Sequence, residues 1–495
     1  MNKIYHFISV HKIILLVSFF IAAYIIYFSY FSILRMHTLY ASYFDLGIMH
    51  QTVYNTYRGI MTFDFSRILE MTSPFGPEQI KRMAIHNDIF LALLAPFYFI
   101  YSGPETLLVL QTVILGLGAY VLYLITQKVF IKKTYSKILG LVLSLAYLLY
   151  PAMQRANQFD FHSVTLVSTL ILFMVYFYLT KRYFLSFVFL VLSLITKEQV
   201  ALTTFFLGGY LLFLEHRTGS KKYKWPLIIV VVSISWFLVT MLVIIPFYRG
   251  GSHFALKYYS EFGDSPFSVI LGILKQPSLI IKYLLAPKTL EYLRNLLGPL
   301  GFLSLFSPWL YIASPEFAIN ILSKSGNMRN LYYHYQAVLQ PFIFLSAIFA
   351  VNFILKSTKK FESVTFFALM TVILISTFYY SYRLGPLPYS KNKQIHPFKY
   401  PQIEASDVRS WADKLKDEKI KVSATGQLSP FFTSRRYFYT FSDRYPLADF
   451  VLIRLNEVYN YPEKNELIPV YEVLKKDYNY TLVYKKNKLE VYQRK

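Results

Sequence analysis

The sequence contains no cysteine. That removes disulfide frameworks, thiolate metal sites and thiol nucleophiles together. Acidic residues are scarce, 27 Asp and Glu against 51 Lys and Arg, and the formal net charge is +24. The chain has no Walker phosphate loop, no glycine fingerprint after a strand and no Gly-x-Ser-x-Gly elbow, so soluble nucleotide and serine-hydrolase chemistry lack support. A tight His-Glu-x-x-His metal spacing is absent as well, and no internal repeat or low-complexity tract is visible.

What the chain has instead is apolar length. It is 55% hydrophobic and 19% aromatic, with 44 Tyr and 45 Phe, and its mean hydropathy is +0.39. Amphipathic rings in such numbers suit a protein with much membrane–water interface. Apolar runs recur at 13–34, 105–130, 138–150, 164–179, 184–195, 200–214, 225–247, 293–322, 335–355 and 364–380. The first is long enough to span a hydrocarbon core at about 1.5 Å per residue. No small-residue cleavage pattern follows it, so it reads as a retained anchor. Counting 293–322, interrupted by Pro308, as a hairpin gives about eleven transmembrane helices.

The basic residues orient these runs. Lys3 and Lys12 precede the first; Lys128, Lys132, Lys133 and Lys137 join the second and third. Lys181 and Arg182, then Arg217, Lys221, Lys222 and Lys224, then Lys356, Lys359 and Lys360 fill later alternate connections. That bias places the N-terminus in the cytoplasm. A positive charge concentrated this way speaks for membrane anchoring and not for nucleic acid. The outer side then receives a long first loop, 35–104, and everything after Tyr382. Within the loop, 44–57 and 87–101 are too short to cross and suit interfacial helices. From about His396 the pattern changes: 406–419 has helical spacing, and 420–424, 450–453, 481–484 and 488–492 read as short strands. The expectation is an all-α polytopic bundle over 1–385 with a small extracytoplasmic α/β domain over 396–495.

The unusual polar residues choose one side. Asp45, His86, Asp88, Asp160, His162, Lys197, Glu198 and His334 all fall on outer loops or outer span ends, where one water-filled cavity could collect them. Each also has a plainer explanation. Asp45, Asn87 or Asp88 could cap a helix, and Lys197-Glu198 could be a solvated pair of little energetic weight. Asp160 and His162 share a face only if the backbone between them is extended. His334, Tyr335 and Gln336, with Arg329 upstream, could be interfacial anchors. A His, Asp and Glu collection could also hold a divalent metal. Asn479-Tyr480-Thr481 is a glycosylation triplet within an expected strand, a pattern common by chance.

Taken in order, Phe44-Asp45-Leu46-Gly47, His86-Asn87-Asp88, Tyr150-Pro151, Phe159-Asp160-Phe161-His162, Thr196-Lys197-Glu198 and His334-Tyr335-Gln336 resemble a prokaryotic polytopic membrane family. It is carried as a domain of unknown function and grouped with the GT-C glycosyltransferases. Where lipid A aminoarabinose transferases show an acidic-Lys-Pro-Pro stretch, this sequence has His86-Asn87-Asp88. The resemblance implies a polyprenyl-phosphate sugar donor and a lipid, glycan or protein acceptor meeting at the outer membrane face. It implies catalytic roles for Asp45, Asp160 and Glu198, with His86, Asp88, His162, Lys197, Arg329, His334, Tyr335 and Gln336 binding substrate. Two other functions remain open at this level: transport of an envelope precursor, and a non-catalytic envelope scaffold.

Overall fold

The computed structural model describes residues 2–131, 133, 135–391, 393, 402–460 and 462–495, with the side chains of 2–11 left out. Lys132, the Lys3 side chain and the expected domain boundary at His396 lie outside the described residues. The chain is mostly helical, with a small sheet near its C-terminal end.

Among the described residues, five helices are long and apolar enough to cross a membrane: Lys12–His37, Glu105–Val129, Lys224–Arg249, Leu339–Ser357 and Lys359–Leu384. Counting each bent pair as one span raises this to seven. Leu339–Ser357 and Glu105–Val129 are the central members, with 72% and 61% of their apolar windows buried; the other three are peripheral at 22% each. The remaining expected spans are shorter or broken, and two of the breaks lie at prolines. Tyr150 is extended ahead of Pro151, and the helices Ser136–Leu148 and Pro151–Phe159 meet at 43°. Ser307 is extended ahead of Pro308, and the expected hairpin winds into short turns. A proline lacks the N–H of a continuing helix and pushes its predecessor out of the helical region. The segments expected at the interface form an α-helix, Ile48–Thr62, and a 3-10 coil, Ile89–Phe99, containing Pro96.

The first loop also carries a hairpin, β1 (Glu70–Thr72) and β2 (Gln79–Lys81), for which the sequence gives no alternating signal. The C-terminal sheet consists of β3 (Val422–Ala424), β4 (Phe438–Thr440), β5 (Phe450–Arg454), β6 (Tyr480–Lys486) and β7 (Leu489–Arg494). Its order is β4-β3-β5-β7-β6; β3 runs parallel to β4 and β5, and β7 antiparallel to β5 and β6. Four of these strands fall where alternation places them, and β4 is additional.

This sheet shares a core with the first loop. Leu39, Tyr43, Ile48, Met71 and Ile85 pack in one cluster with Val408, Trp411, Phe432, Phe438, Leu452 and Val491. Polar ties surround it: Arg436 to Glu70 at 2.8 Å, Arg58 to Glu418 at 2.9 Å, and Arg444 to the Gly76 carbonyl at 2.8 Å.

Candidate functional site

A cavity of about 940 Å³ lies between the first loop and the span ends. Asp45, His86, Asp88, His162, Lys197, Glu198, His334 and Tyr335 line its polar part. Its other part is apolar, walled by Leu202, Phe206, Phe237, Met241, Ile270 and Ile319. Phe206 and Ile270 are themselves exposed, so this apolar trough reaches the protein surface. Asp160, Arg329 and Gln336 are not on the wall.

Asp45 sits in a π-helical turn, Tyr43–Gly47, that enters the Ile48–Thr62 helix. A Cβ on Gly47 would come within 3.0 Å of the Tyr43 ring, so glycine permits the tight approach. The Asp45 carboxylate does not cap that helix, whose N-cap is Gly47 without a side-chain bond. It pairs instead with His162 Nε2 at 3.0 Å and takes a long contact of 3.4 Å from the Ser42 hydroxyl. Its side chain is 25% exposed, against 8% for His162. The His162 ring stacks on His334 at 3.7 Å. His334 Nδ1 is buried with no partner among the described residues, and burial holds its imidazole well below the usual range.

Asp160 and His162 both have extended backbones, and both side chains reach the 42–45 stretch. Asp160 is buried, ion-paired with Arg35, and accepts the Ser42 amide at 3.2 Å. Burial pushes its carboxyl up to about 6 against the pull of Arg35.

Glu198 is enclosed by donors. His86 Nδ1 lies 2.8 Å from Oε1, His253 Nε2 3.1 Å from Oε1, and the Asn87 amide donates to Oε2 at 3.0 Å. Burial opposes its ionisation, but His86 and His253 outweigh it and hold the carboxyl well below its ordinary range. Burial also drives the His86 imidazole down to about 3, so a neutral ring donates to an ionised carboxylate.

The same three side chains have the proximity of a metal site, their ligand atoms lying within 4.8 Å of one another. The tautomer of His253 argues otherwise. Its Nδ1 accepts the Ala255 amide at 3.0 Å, which leaves the proton on Nε2, facing Glu198. Metal-ligating histidines use their second nitrogen as a donor, which fixes the opposite tautomer. The cluster is built to clamp a carboxylate.

Lys197 forms no ion pair or side-chain hydrogen bond among the described residues, and its Nζ stands 5.9 Å from the Tyr335 ring centre. Burial lowers its pKa against the opposing charge of Glu198. Asp88, at the N-cap of Ile89–Phe99, makes no capping bond; Arg82 Nε grips its two oxygens at 2.9 and 3.1 Å. Arg329 Nη1 donates to the carbonyls of Asn320, Ile321 and Ser323, and Gln336 donates to the Asn330 carbonyl.

Arg82 and His253 escape sequence reasoning. Arg82 carries a signal in retrospect, as the cation just upstream of His86-Asn87-Asp88. His253 is a lone histidine after Gly250-Gly251, with no pattern around it.

Residues 35–491 match the family described as "Predicted membrane protein (DUF2079)". No curated protein matches the chain in sequence. Among solved structures, the chain is similar to ArnT from Cupriavidus metallidurans in the apo state, at 11% identity and a TM-score of 0.47, over 90% of this chain and 93% of that one. It is also similar to the apo oligosaccharyltransferase of Archaeoglobus fulgidus, at 11% identity and a TM-score of 0.43, over 96% of this chain and 74% of that one.

Proposed function

The chain belongs to the DUF2079 family of predicted membrane proteins, and on that premise we propose that it is a membrane glycosyltransferase of the GT-C type. It transfers a sugar from a polyprenyl-phosphate donor to a lipid, glycan or protein acceptor at the outer face. The observation that carries this reading is a single cavity joining the Asp45–His162 pair and Lys197 to an apolar trough that reaches the protein surface. A lipid-linked sugar phosphate needs that combination: an apolar channel for its chain, a cation for its phosphate and a base for the incoming hydroxyl.

In this reading the acceptor oxygen bonds to the anomeric carbon while Asp45 takes its proton. The bond from that carbon to the phosphate oxygen breaks, and the electron pair leaves with the lipid phosphate. Lys197 meets the charge that develops there, and the free Nδ1 of His334 offers a hydrogen bond. Asp45 combines a place on the wall with partial exposure. Glu198 and Asp160 act by holding: Glu198 joins His86, Asn87 and His253, and Asp160 ties Arg35 to the Ser42 amide.

The topology completes the reading. The N-terminus lies in the cytoplasm and the chain crosses about eleven times, short and broken helices adding to the five long spans. The α/β domain over 396–495 lies outside, following a membrane domain over 1–385. The test is transfer of labelled sugar from a polyprenyl-phosphate donor by the purified protein in lipid nanodiscs. Absence of transfer across a panel of such donors, by protein with a normal melting curve, defeats the proposal.

A further inference from the structure

Open α/β sheets bind ligands at the carboxyl ends of their parallel strands. Here the parallel strands are β4, β3 and β5, and the loop that leaves β3 is 425–429. That edge is occupied by the protein itself. The Gly426 carbonyl accepts the Tyr43 amide at 3.0 Å. The Tyr43 ring is fully buried and lies 5.1 Å from the Phe438 ring of β4, while its hydroxyl donates to the Thr72 carbonyl at 3.1 Å. A Cβ on Gly47 would stand 3.6 Å from the Ser429 Cβ. The segment seated on the strand ends is therefore Tyr43–Gly47, the turn that carries Asp45.

The seat is itself held firmly. Glu457 accepts the Gln427 amide at 2.9 Å, and a Cβ on Gly426 would come within 3.3 Å of the Glu457 carboxylate. Arg454 binds the Gln427 side chain and, at 2.5 Å, Glu404. On the opposite side Asp160 takes the Ser42 amide. Asp45 thus lies in a turn gripped from the membrane bundle by Asp160 and from the sheet by Gly426.

We propose that the 425–429 loop is a socket that sets the position of Asp45 against His162, with Tyr43, Gly426 and Phe438 as positioning residues. The α/β domain then serves the reaction by holding the base in place, and its strand-end crevice takes no substrate. This rests on the glycosyltransferase reading for its kinetic consequence and on packing alone for its structural one.

Phe438→Ala removes the ring beneath Tyr43 without touching the cavity wall. Hydrogen exchange on the 43–47 peptide should accelerate, with β5 and β7 still protected. The His162 ring resonances, followed by NMR of labelled histidine, should move toward those of Asp45→Asn as the 3.0 Å contact with Asp45 is lost. In the transfer assay kcat should fall by about 10²-fold with KM for the donor little changed, the cost of misplacing a reacting group by about 1 Å. Phe438→Tyr should retain the parent values. Should Phe438→Ala unfold the sheet, Phe438→Leu supplies a milder arm that trims the same ring and is read by the same exchange, NMR and kinetic measurements.

Accelerated exchange at 43–47 with unchanged His162 ring resonances and kcat overturns the positioning role. Parent-like protection of 43–47 in a folded Phe438→Ala or Phe438→Leu overturns the docking. A parent protein that transfers no sugar sinks the glycosyltransferase reading, and exchange and the ring resonances then decide this one.

Discussion

His162 Nε2 lies 3.0 Å from Asp45 Oδ1 while the His162 ring is stacked on His334. The pairing orients the carboxylate and leaves Oδ2 with only the 3.4 Å contact from Ser42. A carboxylate held at one oxygen and loosely engaged at the other is suited to accept a proton from a hydroxyl entering the cavity.

Asp45→Asn should therefore slow sugar transfer by roughly 10²–10⁴-fold, the usual range for general-base assistance. Its melting temperature should stay close to the parent's, because Asn retains the shape and no helix cap is lost. Near-normal transfer by a well-folded mutant would move the base elsewhere in the cavity.

Lys197→Met should separate activity from stability. Burying an unpaired cation is costly, so the apolar substitute should raise the melting temperature. Transfer should fall by about 10²-fold, comparable to removing one donor to a developing anion. A mutant both less stable and fully active would contradict the assigned role.

Glu198→Gln should do the reverse. It leaves three N–H donors facing an amide and should cost about 3 kcal/mol, as breaking buried charged networks does. A chelator such as EDTA should leave the parent melting curve in place, since the His253 tautomer favours a hydrogen-bonded carboxylate. A chelator-induced loss of stability that zinc or manganese restores would turn this cluster into a metal site.

Burial pushes the Glu457 carboxyl up to about 7, with the Gln427 amide and Arg454 opposing it in part. A folded-state value above the unfolded one contributes stability that is present below the unfolded pKa and lost as pH rises through the folded one. The C-terminal sheet should thus weaken between about pH 4.3 and 7. Glu457→Gln should remove up to about 3 kcal/mol of that dependence. Denaturant unfolding read by labelling of Ser423→Cys, a buried position in β3, measures it; equal pH slopes in parent and mutant would refute it.

Topology is checked with the same thiol-free background. A cysteine at Lys391 should react with impermeant reagent from the outside of intact cells, and one at Lys356 only after permeabilisation. The opposite pattern would invert the proposed orientation.

Sidedness made part of this legible. Sequence alone groups Asp45, His86, Asp88, His162, Lys197, Glu198 and His334 on one side, and in the structure they border one cavity. It cannot say that Asp160 turns away from that wall, because an extended dipeptide constrains direction and not partners. Nor can it say that Arg329 is tethered through Nη1 to the carbonyls at the end of a neighbouring helix. The spans were legible by apolar length and less so by number, since several expected runs form helices shorter than a full span and 293–322 winds into short turns around Pro308. The shared core of Tyr43, Met71 and Phe438 was invisible, because no local periodicity reports a contact between distant stretches.

Tyr43 and Gly426 meet in space but lie far apart in the sequence. At roughly 5–20 residues per second of synthesis, tens of seconds separate their emergence from the ribosome. The turn bearing Asp45 waits without its seat until β3 and the loop after it have been made. A chain that terminates before β3 would carry the cavity's histidines and Lys197 but no socket. The order of synthesis thus makes the base's final placement a late event.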